Sequence, residues 1–175
     1  MTPAEIFTDQ FERVHDLFAD VLDDLSIDQA HLRPTGSATQ SATGSASGGN
    51  SIVWLLWHTA RIQDDHVAGL SGADQAWGQW RARFDLPLDD WDHGYGHSSE
   101  QVDSVRVEDP TLLVQYQDAV HQLTLSYLEN VDEAELDRVV DESWNPPVTA
   151  GVRLVSVVGD ALQHLGQAAY VKGLA

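Results

Sequence analysis

Three side chains in this 175-residue chain have the types and spacing to hold a divalent ion: His58, Asp160 and His164. Asp160 and His164 stand four residues apart in the run Asp160-Ala-Leu-Gln-His164-Leu-Gly166-Gln167. Four residues on a helix advance about 40° beyond a full turn, so the carboxylate and the imidazole project from one face. The surrounding stretch, Val152 to Leu174, is long, apolar and free of proline, which predicts a helix in the core rather than on its rim. Burying either polar group alone is costly. A metal ion is one partner that removes the cost, and a hydrogen bond between the two is another. If the helix bearing His58 is a neighbour, it completes a set of two imidazoles and one carboxylate with positions left open for water or substrate. A 2+ ion so held keeps one net positive charge, enough to lower the pKa of a bound water or thiol. A D-x-x-x-H pair and a lone histidine also occur as ordinary hydrogen-bonded residues, so the spacing alone leaves both readings open.

Around these three lie residues with weaker signals. Gln167 follows His164 by three residues on nearly the same side, where it could orient His164, bind water or simply bring polarity to the bundle mouth. Asp65 follows His58 by seven and is almost in line with it, as a supporting acid, a substrate contact or part of a solvated face. His66 is a step further round and falls outside the ligand set. His93, Tyr95 and His97 belong to a glycine-broken loop that could fold over the site, with surface residence the plainer expectation. His15, His31 and His121 are assigned to the surface or to packing. Trp54, Trp57, Trp77, Trp80 and Trp91 are expected mainly in the core, with one or two lining an apolar pocket.

The elements that must position these groups read as helices. Thr2-Pro3-Ala4-Glu5 carries an N-cap, a first-turn proline and the acid of a capping box. Phe7, Phe11, Val14, Phe18, Val21 and Leu25 then recur at three- and four-residue spacing, the stripe of an amphipathic helix. Ser26 to Arg33 predicts a short helical turn stopped by Pro34. Thr35 to Asn50, almost wholly Gly, Ser, Thr and Ala, predicts a flexible loop. Asn50-Ser51 caps a second helix from Ile52 to about Gly69, apolar all round in its first turns and polar later, at Arg61, Gln63, Asp64, Asp65 and His66. Ala73 to Arg83 reads as a further helix, and Tyr95 to Glu100 as a turn into a short capped one. Asp109-Pro110 is an N-cap and first-turn pair for a third long helix with Leu112, Leu113, Tyr116, Val120, Leu123 and Tyr127 on its stripe. Arg138-Val139-Val140 is briefly strand-like, and Thr149 caps the last helix. Four long helices joined by irregular connections predict an all-α four-helix bundle occupying residues 1–175 as one domain.

Bulk composition removes several functions. A formal charge of −19 spread along the chain repels phosphate backbones and anionic lipid, so neither nucleic acid nor a membrane surface is an expected partner. No run of 18 apolar residues occurs, and no basic segment precedes an apolar block at the N-terminus; a cytoplasmic protein is expected. Cysteine is absent, which excludes disulfides, thiolate ligands and a cysteine nucleophile. Any sulfur chemistry must use a sulfur brought in.

His164-Leu165-Gly166-Gln167, with a potential ligand four residues before it, resembles the H-x-x-x-H-x-G-Q signature of the DinB-like superfamily, whose first metal histidine comes from a helix in the first half of the chain. His58, after the apolar run Ser51 to Trp57, stands in that place. The resemblance spans nearly the whole chain, including the capped first helix, Arg33-Pro34 and Gly94-Tyr-Gly-His97. It is strongest to relatives of the mycothiol-dependent maleylpyruvate isomerases and the bacillithiol transferases. It implies a four-helix DinB fold, often a homodimer, and a divalent metal (zinc or nickel) on His58, Asp160 and His164; Gln167 and Asp65 are candidate further contacts by their spacing. It also implies transfer or isomerisation of a small-molecule electrophile with a low-molecular-weight thiol such as mycothiol. Asp160 departs from the pattern: many relatives have histidine there and the maleylpyruvate isomerases glutamate, and the shorter aspartate brings an ion nearer the helix axis. Two rival readings are a metal-dependent hydrolase working with bound water and a non-catalytic ligand-binding or stress-associated bundle.

Overall fold

A computed structural model describes residues 1–34 and 48–174. Residues 35–47, where the flexible loop is expected, lie outside them. Eight helices are found among the described residues: α1 (Pro3–Leu22), α2 (Ile27–His31), α3 (Ile52–Ser71), α4 (Trp77–Phe84), α5 (Ser99–Ser104), α6 (Thr111–Leu128), α7 (Glu133–Asp137) and α8 (Ala150–Lys172). Strands β1 (Val139–Asp141) and β2 (Val148–Thr149) form a small antiparallel pair that feeds α8. The all-α expectation holds. Four long helices make the bundle, α3 and α1 each packing on both α8 and α6, so that α1 and α3 sit diagonally opposed.

Local signals in the sequence place most helix ends. Thr2 Oγ1 accepts from Glu5 N at 3.2 Å while Glu5 Oε2 accepts from Thr2 N at 2.7 Å, closing the capping box of α1. Its stripe of Phe7, Phe11, Val14, Phe18 and Val21 is buried as the spacing predicts. Ser51 Oγ accepts from Trp54 N, and Thr149 Oγ1 from Val152 N, at the starts of α3 and α8. Three ends differ from expectation. α3 runs past Gly69 to Ser71 and stops at Gly72, whose φ of +74° is a conformation glycine adopts without steric cost. α4 begins at Trp77 rather than Ala73 and ends at Phe84. α6 begins after Pro110, with Asp109 Oδ1 accepting from Thr111 N at 2.9 Å, so the aspartate caps from one position further out.

The larger correction concerns how far each of the two site-bearing helices is enclosed. α8 is not interior on all sides: Leu154, Val157, Val158, Ala161, Leu165, Ala168 and Val171 are buried, while Val152, Val155, Leu162 and Tyr170 are exposed. α3 is the enclosed helix. Every residue from Ser51 to Asp64 is buried, including Arg61, Gln63 and Asp64 in the later, polar turns. These polar groups stay buried because each has partners. Asp64 accepts from Ala76 N at 2.9 Å, Trp77 N at 2.7 Å and the Tyr116 hydroxyl at 2.7 Å, with Arg61 3.5 Å away. Burial pushes the Asp64 carboxyl up, against the pull of Tyr116, the two amides and Arg61. Arg61 donates to Gln75 Oε1, the Tyr116 hydroxyl and Asp92 O, and lies over the Trp77 ring. Gln63 donates to Thr124 on α6 and accepts from Gln117. Each fully enclosed Leu, Ile or Phe side chain contributes roughly 1.5–3 kcal/mol, and Ile52, Leu55 and Leu56 anchor α3 against its neighbours.

Candidate metal centre

The α3–α8 seam brings the three predicted ligands together. His58, Asp160 and His164 offer ligand atoms that all lie within 4.8 Å of one another, and they are the group of this kind among the described residues. The His58 and His164 rings have centroids 4.9 Å apart at 78°, and His164 Nε2 is 3.5 Å from Asp160 Oδ1. Burial differs across the set: His58 is 5% exposed, while Asp160 and His164 are half-buried at the seam.

Outer contacts fix which ring nitrogen each histidine presents. His58 Nδ1 bonds the His93 carbonyl, so Nδ1 carries the proton and Nε2 keeps its lone pair. Its ring also stacks on Trp54, with centroids 4.7 Å apart and planes at 13°. His164 Nδ1 bonds Gln167 Oε1 at 3.0 Å, which likewise leaves Nε2 free to face Asp160. Gln167 therefore orients His164, one of the roles its spacing suggested. Asp160 Oδ2 is buried and has no hydrogen-bond partner. An unpartnered buried carboxylate oxygen beside two inward-facing imidazole Nε2 atoms is the donor set a divalent cation satisfies, and these residues fit one.

Charge in the cluster follows from the same contacts. Burial, foremost, pushes the His58 pKa down, and the nearby His164 adds to that, outweighing the His93 carbonyl and Asp160. Bonding to Asp160 raises His164 against its burial. For Asp160, burial works upward, but the bond to His164 and the neighbouring imidazoles hold the carboxyl below its usual range. Asp160 is thus ionised and His58 neutral near pH 7, the states metal ligation requires, whereas Asp160 favours a protonated His164 that has to release its Nε2 proton to an ion.

The loop between α4 and α5 is the part sequence reasoning misjudged. His97 is not a surface residue: its side chain is 3% exposed, Nδ1 accepts from Trp54 Nε1 at 3.1 Å, and Nε2 donates to Asp92 Oδ1 at 2.9 Å. Asp92 Oδ1 also accepts from Gly94 N at 2.7 Å, and Asp92 O accepts from Arg61. The loop is pinned over His58 so tightly that a Cβ on Gly94, whose φ is +92°, would lie 2.9 Å from His58 Nδ1 and 3.1 Å from Trp54 and Trp57. The signal that could have found this was the pair Gly94 and Gly96 flanking Tyr95, since a backbone pressed against an aromatic shelf needs glycine. Tyr95 itself points out, 86% exposed. Asp65 does not join the cluster. It accepts from Gln75 Nε2 at 2.8 Å and lines a cavity further along the seam. His121 is a packing residue stacked on His15, and His31 bonds Val107 O. Of the tryptophans, Trp54, Trp57 and Trp77 are core, while Trp91 is 64% exposed at that cavity.

None of the curated proteins matches the chain. A crystal structure of a conserved protein from Enterococcus faecalis is similar, with a TM-score of 0.84 and 33% identity, over 98% of this chain and 96% of that one. The similarity thus reaches end to end and includes both helices of the cluster. The DinB superfamily matches residues 10–168, and the chain belongs to that superfamily.

Proposed function

We propose that the protein is a metal-dependent S-transferase or isomerase that joins a low-molecular-weight thiol, of the mycothiol kind, to a small electrophile. His58, Asp160 and His164 are its metal ligands in this reading. The observation that carries it is the convergence of two Nε2 atoms, each turned inward by an outer bond on Nδ1, with an unpartnered Asp160 Oδ2. Bound there, a zinc or nickel ion supplies the Lewis acidity that keeps a thiol ionised at neutral pH. The chain's own residues do the rest. Trp54 and Gly94 wall one side of His58 and exclude water from it, and the His93 carbonyl holds its ring. Gln167 keeps the His164 ring turned toward Asp160. With no cysteine in the chain, the sulfur nucleophile has to be delivered by a co-substrate.

Metal analysis of untagged protein after zinc or nickel supplementation tests the first half; a content near one ion per chain is expected, and below about a tenth would leave a non-catalytic bundle as the better reading. His164→Ala should abolish the binding. The second half is tested by turnover of electrophiles against thiol concentration. Saturation in thiol is expected, and hydrolysis that proceeds without thiol would instead make the protein a metal-dependent hydrolase.

A further inference from the structure

The α3–α8 seam does not end at the metal cluster. His58 faces His164 at one end and His66 meets Arg153 further along, so the two helices run antiparallel. Arg153 lies seven residues before Asp160 on α8, two turns and about 10 Å away along one face. A cavity of about 560 Å³ opens there, lined by Asp65, His66, Gln75, Trp91, Val140 and Arg153 among others. The loop that pins His58 through the His93 carbonyl also supplies Trp91 to the cavity, so one loop borders both.

Arg153 is loosely held for an arginine that is only partly exposed. Arg13, Arg33, Arg61, Arg83 and Arg138 each make a bond of 3.0 Å or shorter. Arg153 reaches only His66 Nδ1 and Asp141 Oδ2, both at 3.4 Å, beyond the normal range for its five N–H donors. Its side chain is 25% exposed, and the chain around it carries a formal charge of −19. A half-buried guanidinium with spare donors, facing a cavity, is matched to a planar oxyanion that can take two parallel bonds. Trp91 offers an open indole face beside it for an apolar body. Asp65 and Asp74 on the same wall repel a second negative charge, which restricts the ligand to a single carboxylate at this end.

We infer that the cavity around Arg153 and His66 is a subsite for the carboxylate end of a small substrate whose reactive end lies at His58, Asp160 and His164. The position of the reactive end rests on the metal-centre reading; the carboxylate subsite itself does not.

The test uses the full chain and valerate as probe, with neutral valeramide as control, read at the Trp91 indole N–H resonance assigned through Trp91→Phe. Valerate should shift that resonance saturably and valeramide should not. Arg153→Gln should weaken valerate binding about tenfold or more, Arg153→Lys should fall between, and Asp141→Asn should tighten binding about twofold by releasing the guanidinium. His164→Ala should keep the valerate response, because the probe does not need the metal. Wild-type affinity in Arg153→Gln, an equal response to valeramide, weaker or unchanged binding in Asp141→Asn, or loss of the response in His164→Ala would each overturn the subsite. A protein that holds no metal yet shows the Arg153-dependent response would sink the metal-centre reading and leave the subsite standing.

Discussion

Helix α3 supplies His58 from a segment with no solvent side between Ile52 and Asp64, whereas α8 supplies Asp160 and His164 from a helix whose outer face is wet. On α3 the buried Arg61, Gln63 and Asp64 are each paired inside the protein, and His58 is held by a backbone carbonyl and an indole stack. On α8 the polar groups are held by one another: His164 by Gln167, and Asp160 by His164 at 3.5 Å. The contrast separates two tasks within one site. An enclosed helix with partnered polar groups gives a ligand whose position is fixed by the fold, and a half-exposed helix gives ligands whose position is completed by what binds between them. Stability and metal affinity should therefore respond to different residues.

The largest effect is expected at Arg61. Removing one member of a fully buried, paired network leaves the other charge uncompensated, so Arg61→Ala should cost about 3–5 kcal/mol in denaturant unfolding. It also frees the Asp92 carbonyl that anchors the loop over His58. Arg153→Gln on α8, at a pair that is 25% and 29% exposed, should cost less than about 1 kcal/mol. Equal losses for the two would remove the distinction between the helices.

Next come the ligands themselves. With metal chelated, His58→Ala should destabilise by about 2–4 kcal/mol through lost packing against Trp54 and Gly94, while His164→Ala should cost under about 1 kcal/mol. With metal present both losses should grow by the same linkage stabilisation from the bound ion, so the gap between the two variants should persist. Melting curves with and without chelator give all four values.

Much of this was legible before any coordinates. Capping boxes, the Phe stripe of α1 and the four-residue Asp160–His164 spacing depend on neighbours in sequence, and each reads correctly. Two things did not read. The enclosure of Arg61, Gln63 and Asp64 could not be read from a polar stretch, because polarity normally marks exposure and only tertiary partners on α4, α6 and the following loop offset the cost of their burial. α8 looked interior because Val152, Val155 and Leu162 are apolar, yet a helix against two neighbours still shows solvent one face. The support of the site by His93 and His97 was equally hidden, since it runs through a backbone carbonyl and a side chain in a loop without periodicity.

Gly94 is where the rigid half can be disturbed without touching a ligand. Alanine there has to hold a φ of +92° and place a Cβ 2.9 Å from His58 Nδ1, against rings rather than a flexible tip. Gly94→Ala should cost about 1–3 kcal/mol and weaken metal binding by turning the His58 ring away from its carbonyl. A stable variant with unchanged metal affinity would mean that the loop does not set His58.

Gln167 tests the adaptable half, with the smallest expected effect on folding. Its residue is exposed and its one side-chain bond goes to His164 Nδ1, so Gln167→Ala should leave chelated stability within about 0.5 kcal/mol. Without that acceptor the His164 proton is free to sit on either nitrogen, and the Nδ1–H form no longer dominates. Metal affinity should then fall about 10–100-fold, the cost typical of removing an outer hydrogen bond from a ligating histidine. Gln167→Glu keeps an acceptor and should retain most of the affinity, or exceed it, since a carboxylate makes the ring a stronger donor to the ion. If alanine and glutamate variants bind metal equally, orientation on α8 comes from Asp160 and the ion alone, and the bond to Gln167 is incidental.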